Sequence, residues 1–460
     1  MDNATARLSH LVATARIEDI PASTLEQVRR TLLNIIGCAV GGSQHDSVTS
    51  VLAALSPFGG APVATVLGRG QRADPMLAAL ANGMAASVYS FDDTHAEAVV
   101  HPGGPVAMAL LALAETRRVS GADFLLAVTL GCEVVCRVSK AVSVTPAKAG
   151  TGWVQTGIAA GLGAAAGAAR LMRLDASQTT TAMGIAACQS GGVRALTRSH
   201  CYALMCGNAA EAGLRAALLA AGGVTSTADG LEAAGGWAQA YAASPNLAAL
   251  DDGLGQRFEI EANTFKPYPC GVVIHPVIDA CLELLPEVKT AGGTSAIEHI
   301  GLRVNPAVLS LTNIQHPRDP SEAQVSVQHW TAATLVDGKA GTEQSRPGRM
   351  ADPVIGGLRD RIVLEPEPGI ARDAATVTLK LGSGASLSRS IANCRGSAER
   401  PMSNADLEAK MRDQCAGTLA PAAIEAIIAA CWALEHETDA SAIARLAAGP
   451  ATSERNGGVA

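Results

Sequence analysis

From Ala22 to about Leu250 apolar residues recur at helical spacing, one amphipathic segment after another. Leu25-Glu-Gln-Val-Arg-Arg-Thr-Leu-Leu-Asn-Ile-Ile predicts a helix ended by Gly37 and by the glycines at 41 and 42. Ser120, with Asp123 three residues later, forms a capping box that opens a helix over Phe124–Val142. Pro102 and Pro105 precede an apolar helix over Val106–Glu115. The pattern changes after Lys266. Ile300, Leu302 and Val304 alternate with Gly301 and Arg303 at strand period, and Val377, Leu379 and Leu381 do the same. Gly382-Ser-Gly then turns the chain into Ala385–Ile391, which reads as a hairpin. Two helices, about Val272–Leu285 and Glu322–Asp337, interrupt the strands. After Pro401 helical spacing returns: Ser403 or Asn404 caps Leu407–Cys415, and Ala422–Leu434 follows.

These patterns predict a mainly α protein. A large all-helical domain is built from both chain ends, residues 1–265 and 401–448, and a smaller α+β lid domain, residues 266–400, is inserted between them. Residues 449–460 read as a disordered tail. A hinged insertion suits a cleft that closes on a ligand. No internal repeat is visible.

Composition sharpens this picture. Aromatics are 3% of the 460 residues while hydrophobic residues are 48%, so small side chains must fill the core and helix backbones must approach closely. Each glycine between Gly157 and Gly167 costs a helix about 1 kcal/mol, which close contact between helices would offset. The net charge of −7 and the absence of a basic stripe argue against a nucleic-acid partner. The uncharged stretch from Ala149 to Ala169 reads better as a buried helix than as a membrane span, and the N-terminus does not read as a secretory signal. The eleven cysteines contain no C-x-x-C pair and fit reduced thiols in a cytoplasmic protein. No ligand spacing suggests a metal.

Candidate chemistry concentrates in Ser90-Phe-Asp-Asp93-Thr94-His95, followed by His101-Pro-Gly-Gly-Pro. An imidazole beside carboxylates ahead of a helix start is suited to proton transfer near neutral pH and to anion binding. The same residues could equally cap helices and satisfy buried groups. Lys266 either snorkels to water or clamps an anion. His275 opens the next helix, His329 falls mid-helix, and Arg194, Arg198 and Tyr202 cluster before another helix. The arginines could hold a carboxylate or form a solvated turn. Gly161-Leu-Gly163-Ala-Ala-Ala-Gly167 lacks the spacing and preceding strand of a dinucleotide loop, and no serine or cysteine sits in a nucleophile elbow.

Several segments in order resemble the MmgE/PrpD family. They are Thr31-Leu-Leu-Asn-Ile-Ile-Gly-Cys-Ala-Val-Gly-Gly, Ala81-Asn-Gly-Met-Ala-Ala-Ser, Phe91-Asp-Asp-Thr-His with His101-Pro, and Gly152-Trp153 with Thr156-Gly157. Gly207-Asn-Ala-Ala-Glu-Ala-Gly-Leu-Arg-Ala-Ala, Lys266-Pro-Tyr-Pro with His275, and Arg400-Pro-Met complete the set. The resemblance implies a helical domain with a lid-like α+β domain, a homodimer, and no metal or organic cofactor. It also implies that Asp93, Thr94, His101 and Lys266 line a pocket between the domains. Four positions depart from the decarboxylase-like pattern of the family: Ser90 for an Asp, Val154 for a His, Tyr202 for a Lys and His329 for a Tyr.

The expected function is that of a cofactor-independent lyase, a dehydratase or decarboxylase, moving a proton next to a carboxylate of a small di- or tricarboxylic acid. His101 is the expected acid/base, with Asp93 orienting it and Thr94 beside it. Tyr202 or His329 is the second proton carrier. Lys266, Ser90, His95, Arg194, Arg198 and His275 are the candidates for binding substrate. An epimerase using the same proton abstraction, and a binder of small acids without activity, are the alternatives.

Overall fold

The computed structural model describes residues 3–145, 147 and 152–450. The chain is mainly α-helical and divides into two compact units. The first comprises residues 1–88, 92–263 and 403–460; the second comprises residues 89–91 and 264–402. The segment read from sequence as a tail falls from residue 451 outside the described residues, as do 149–151 at the start of the long uncharged stretch.

The first unit is a stack of helices, and small residues explain how tightly it packs. Gln155–Leu171 is buried along nearly its whole length between Gly121–Ser143 and Cys201–Ala221. A Cβ on Gly163 would lie 2.3 Å from the carbonyl oxygen of Gly131, and one on Gly213 would lie 2.4 Å from the Ala164 Cβ. Backbone meets backbone on both sides of this helix, which offsets its poor glycine propensity. Among the described residues no helix is long and apolar enough to cross a membrane. All eleven cysteines are free thiols, and only Cys188 and Cys201 are not buried.

The helix expected to end at Gly37 and the glycines at 41 and 42 runs from Ala22 through Gly37 and ends at Gly42. The returning helix Asn404–Cys415 is the reason. Met411 Sδ would sit 2.8 Å from a Cβ on Gly37, and Lys410 donates to Asn34 Oδ1 at 2.7 Å. Gly37 therefore serves close packing within a helix rather than ending it. Ser403 is the cap of the returning helix, its hydroxyl accepting from the Asp406 N–H.

The second unit holds a four-stranded sheet ordered Ile362–Pro366, Ile297–Val304, Ala375–Leu381, Ser386–Ile391. The last two form the expected hairpin, with Leu379 opposite Leu387. The first is a parallel partner of Ile297–Val304, in register at Ile300 and Ile362, and was not foreseen. It is a five-residue strand in which only Ile362 is buried, too short to show a period. Ala375, Val377, Leu379 and Leu381 point into a core shared with Val277, Ile278, Cys281 and Leu284 of the helix His275–Thr290. Burying each of the larger side chains contributes about 1.5–3 kcal/mol. The helix predicted over Glu322–Asp337 is two, Pro320–Ala323 and Val327–Asp337. Ser326 breaks it by capping the second, accepting from the His329 N–H at 3.0 Å. His329 is thus in the first turn of a helix, not its middle.

Candidate acid-base site

In the first unit the short strand Asp93–His95 and the start of the helix Gly103–Ala114 bring Asp92, Asp93, Thr94 and His101 together. His101 Nδ1 lies 2.7 Å from the Asp93 carbonyl oxygen. A carbonyl can only accept, so Nδ1 carries the hydrogen and the basic lone pair falls on Nε2. Thr94 Oγ1 is 3.2 Å and Asp92 Oδ1 is 3.7 Å from the same nitrogen. The His101 backbone N–H donates to Thr156 Oγ1 at 3.0 Å, fixing the residue from a second helix start. Its side chain is 19% exposed, whereas both aspartates are fully buried.

It is the main-chain oxygen of Asp93 that holds the imidazole. The carboxylate instead accepts the Gly103 N–H at 3.1 and 3.3 Å and is bonded by Asn263 Nδ2. It occupies the positive end of the helix Gly103–Ala114. A Cβ on Gly103 would approach Asp93 Oδ2 to 2.7 Å, so glycine is required for this contact. Burial pushes the carboxyl up, the Asn263 hydrogen bond draws it back and the Asp92 charge raises it again, leaving it at about 7. A carboxyl raised to about 7 thus belongs to the residue whose carbonyl sets the His101 tautomer.

His95 is fully buried and turned the other way. Its Nδ1 accepts the Ala98 N–H at 3.1 Å, and its Nε2 faces Glu259 Oε2 at 3.4 Å. Arg194 is exposed and donates to the Trp153 carbonyl at 2.8 Å and to Gln155 Oε1 at 3.0 Å. It therefore braces the residue next to Thr156. Val154 is buried immediately before that helix, its N–H donating to the Gly192 carbonyl. Arg198 is exposed, and Tyr202 is half-buried at the start of Cys201–Ala221.

In the second unit Lys266 is 5% exposed and does not snorkel: its Nζ donates to the Ser90 carbonyl at 2.8 Å. Ser90 takes φ +50°, a left-handed conformation uncommon outside glycine. His275 is buried with its ring edge-on to Tyr268, 5.4 Å between centroids. Tyr268 donates to Asp279 Oδ1 at 2.6 Å. His329 is fully buried, and its Nε2 donates to the Gln344 carbonyl at 2.7 Å. Burial lowers its pKa.

Asn263 and Glu259 were missed by the sequence reading. Each lies more than 160 residues from the strand it serves and belongs to no local motif, so no spacing signal points to it. Asp92 and Thr156 stand within segments that did attract notice. Among the described residues no group of three or more His, Cys, Asp or Glu could hold a metal ion.

A helical scaffold here holds a histidine beside buried carboxyl groups, side chains whose chemistry includes proton transfer. The sequence profile of the MmgE/PrpD N-terminal domain matches residues 6–249, and that of the MmgE/PrpD C-terminal domain matches residues 268–434. The chain belongs to the MmgE/PrpD family. It is 26% identical to the cis-aconitate decarboxylase of Mus musculus over 472 residues, covering 99% of this chain and 95% of that protein. Against the cis-aconitate decarboxylase of Homo sapiens it is 28% identical over 402 residues, with 83% and 81% covered. Against that of Aspergillus terreus it is 25% identical over 473 residues, with 96% and 95% covered.

Proposed function

We propose that this protein is a lyase that moves a proton at a carbon next to a carboxylate of a small di- or tricarboxylic acid, with His101 as the acid/base. The observation that carries this reading is the tautomer of His101. Its Nδ1–H is held by the Asp93 carbonyl, which leaves Nε2 as the basic nitrogen. The buried Asp92 carboxylate, 3.7 Å away, stabilises the imidazolium that proton uptake would create. Relatives that carry the name cis-aconitate decarboxylase support a small acid as substrate. Lys266 is assigned to the charge that builds on the substrate's carboxylate. The family resemblance further supports a cytoplasmic homodimer working without a cofactor.

Ser90, Val154, Tyr202 and His329 stand where the family's decarboxylase-like pattern has other residues. They favour a substrate other than cis-aconitate, and they sustain a second reading in which the proton returns to the opposite face and the enzyme is an epimerase. Turnover in deuterium oxide separates the two: loss of water or carbon dioxide marks the lyase, and deuterium entering a carbon without net product marks the epimerase. His101→Ala is expected to lower turnover at least about a hundredfold, with the melting temperature little changed. Undiminished turnover would remove His101 from the mechanism.

A further inference from the structure

We propose that Glu259 is a positioning residue for His101, acting through the buried imidazole of His95 to fix the loop that presents the acid/base. The inference rests on the acid/base reading of His101 and extends it to a residue that touches no reacting atom.

Residues 95–100 form a closed loop between the strand bearing Asp93 and Thr94 and the histidine at 101. Its ends are joined by the His95 N–H donating to the Val100 carbonyl at 2.9 Å and the Val100 N–H donating back at 3.3 Å. Val99 within it takes φ +54°, a conformation that a β-branched residue holds only under restraint. The restraint comes from two directions. Ser139 and Ser143, on the helix Gly121–Ser143, donate to the Ala98 carbonyl at 2.7 and 3.3 Å. On the other side the His95 ring spans the loop, accepting the Ala98 N–H on Nδ1 and directing Nε2 at Glu259. Because Nδ1 accepts, Nε2 carries the hydrogen and points at Glu259 Oε2 at 3.4 Å, an electrostatic contact rather than a hydrogen bond.

Glu259 is itself anchored from several elements. Lys140 Nζ lies 3.0 and 3.2 Å from its two oxygens and also 3.1 Å from Glu97, and Arg257 lies 3.5 Å from Oε1. The Glu259 N–H donates at 2.6 Å to Glu133, which pairs with the fully buried Arg137 at 2.6 Å. Burial pushes the Glu259 carboxyl up, but His95 and Lys140 outweigh it and hold the group at about 2, ionised at every working pH. Four residues further on, Asn263 bonds the Asp93 carboxylate. One short segment thus grips the strand at both its first and its last residue. That strand supplies the carbonyl on which the His101 tautomer depends. A shift of the strand would alter that bond first.

Histidine-ring NMR of the full-length protein tests this, with His101 assigned from the signals that His101→Ala removes. Glu259→Gln is expected to move the His101 titration midpoint by about half a unit or more and to mix its tautomers. His95→Asn keeps an acceptor where Nδ1 stood but removes the contact to Glu259, so it should reproduce the shift. His95→Gln keeps a donor towards Glu259 and should leave His101 close to wild type. The double variant Glu259→Gln/His95→Asn should show no further change. Should Glu259→Gln fail to fold, the two His95 variants carry the comparison. His101 signals unmoved in folded Glu259→Gln or in His95→Asn overturn the link alone. Full turnover by His101→Ala instead overturns the acid/base reading, and with it the catalytic meaning of the link.

Discussion

At the scale of single residues, Asp93 carries the clearest consequence for pH. Its folded-state pKa of about 7 stands well above the ordinary carboxyl value of 3.8. The folded protein therefore keeps a proton that the unfolded chain releases. The stability this contributes is complete below about pH 4 and is lost as pH rises through 7. Asp93→Asn cannot ionise yet retains an oxygen to accept from Gly103 and Asn263. Relative to wild type it is expected to be more stable at pH 8 than at pH 5, by on the order of a few kcal/mol. Thermal melts of both proteins at the two pH values measure this, and parallel pH slopes would show that the carboxyl is not titrating there. Glu259 has the opposite sign. Its depressed carboxyl adds stability above about pH 4.5, lost as pH falls towards 2, so the stability advantage of the wild type over Glu259→Gln should shrink across that range in urea unfolding at a series of pH values.

At the scale of elements, sequence pattern located most helices but not their limits. The spacing of apolar residues in Leu25–Ile36 was sufficient for a helix. It did not separate Gly37, inside the helix with Met411 from a distant segment packed beside it, from Gly42, where the helix ends. Likewise the apolar run before Asp337 hid the cap at Ser326, because a serine in the middle of a helical pattern is ambiguous until its hydroxyl is seen to accept the His329 N–H. Ser326→Ala should cost about 1 kcal/mol in urea unfolding. The cluster of Asp92, Asp93, Thr94 and His101 was legible because residues 92–101 are neighbours in the chain. Its supports at Thr156, Glu259 and Asn263 arrive from other elements and carry no motif. Glycine behaved as composition suggested: a Cβ at Gly207 would meet the Leu80 carbonyl at 2.4 Å and Met84 Cγ at 2.6 Å. Gly207→Ala is expected to destabilise by about 1–3 kcal/mol, measured by the same unfolding curves; an unchanged midpoint would mean that the two helices can slide apart.

For the whole molecule, ligand binding offers a test that needs no assay of turnover. A carboxylic acid that binds only the folded protein raises the melting temperature, by an amount that grows with the logarithm of its concentration. Screening di- and tricarboxylic acids in this way should single out a small group. Raising the salt concentration should reduce the shift if Lys266 meets a carboxylate, whereas a shift indifferent to salt would count against that assignment.

The helix Asn404–Cys415 packs on Ala22–Gly42, and Lys410 reaches Asn34 in the buried interior of the first unit. These partners lie nearly four hundred positions apart, and synthesis proceeds from one end. A nascent chain bearing the whole of Ala22–Gly42 must wait for the ribosome to reach Ser403 and beyond before that apolar surface is covered. At about 5–20 residues per second the delay is tens of seconds, during which the waiting helices are natural clients for chaperones.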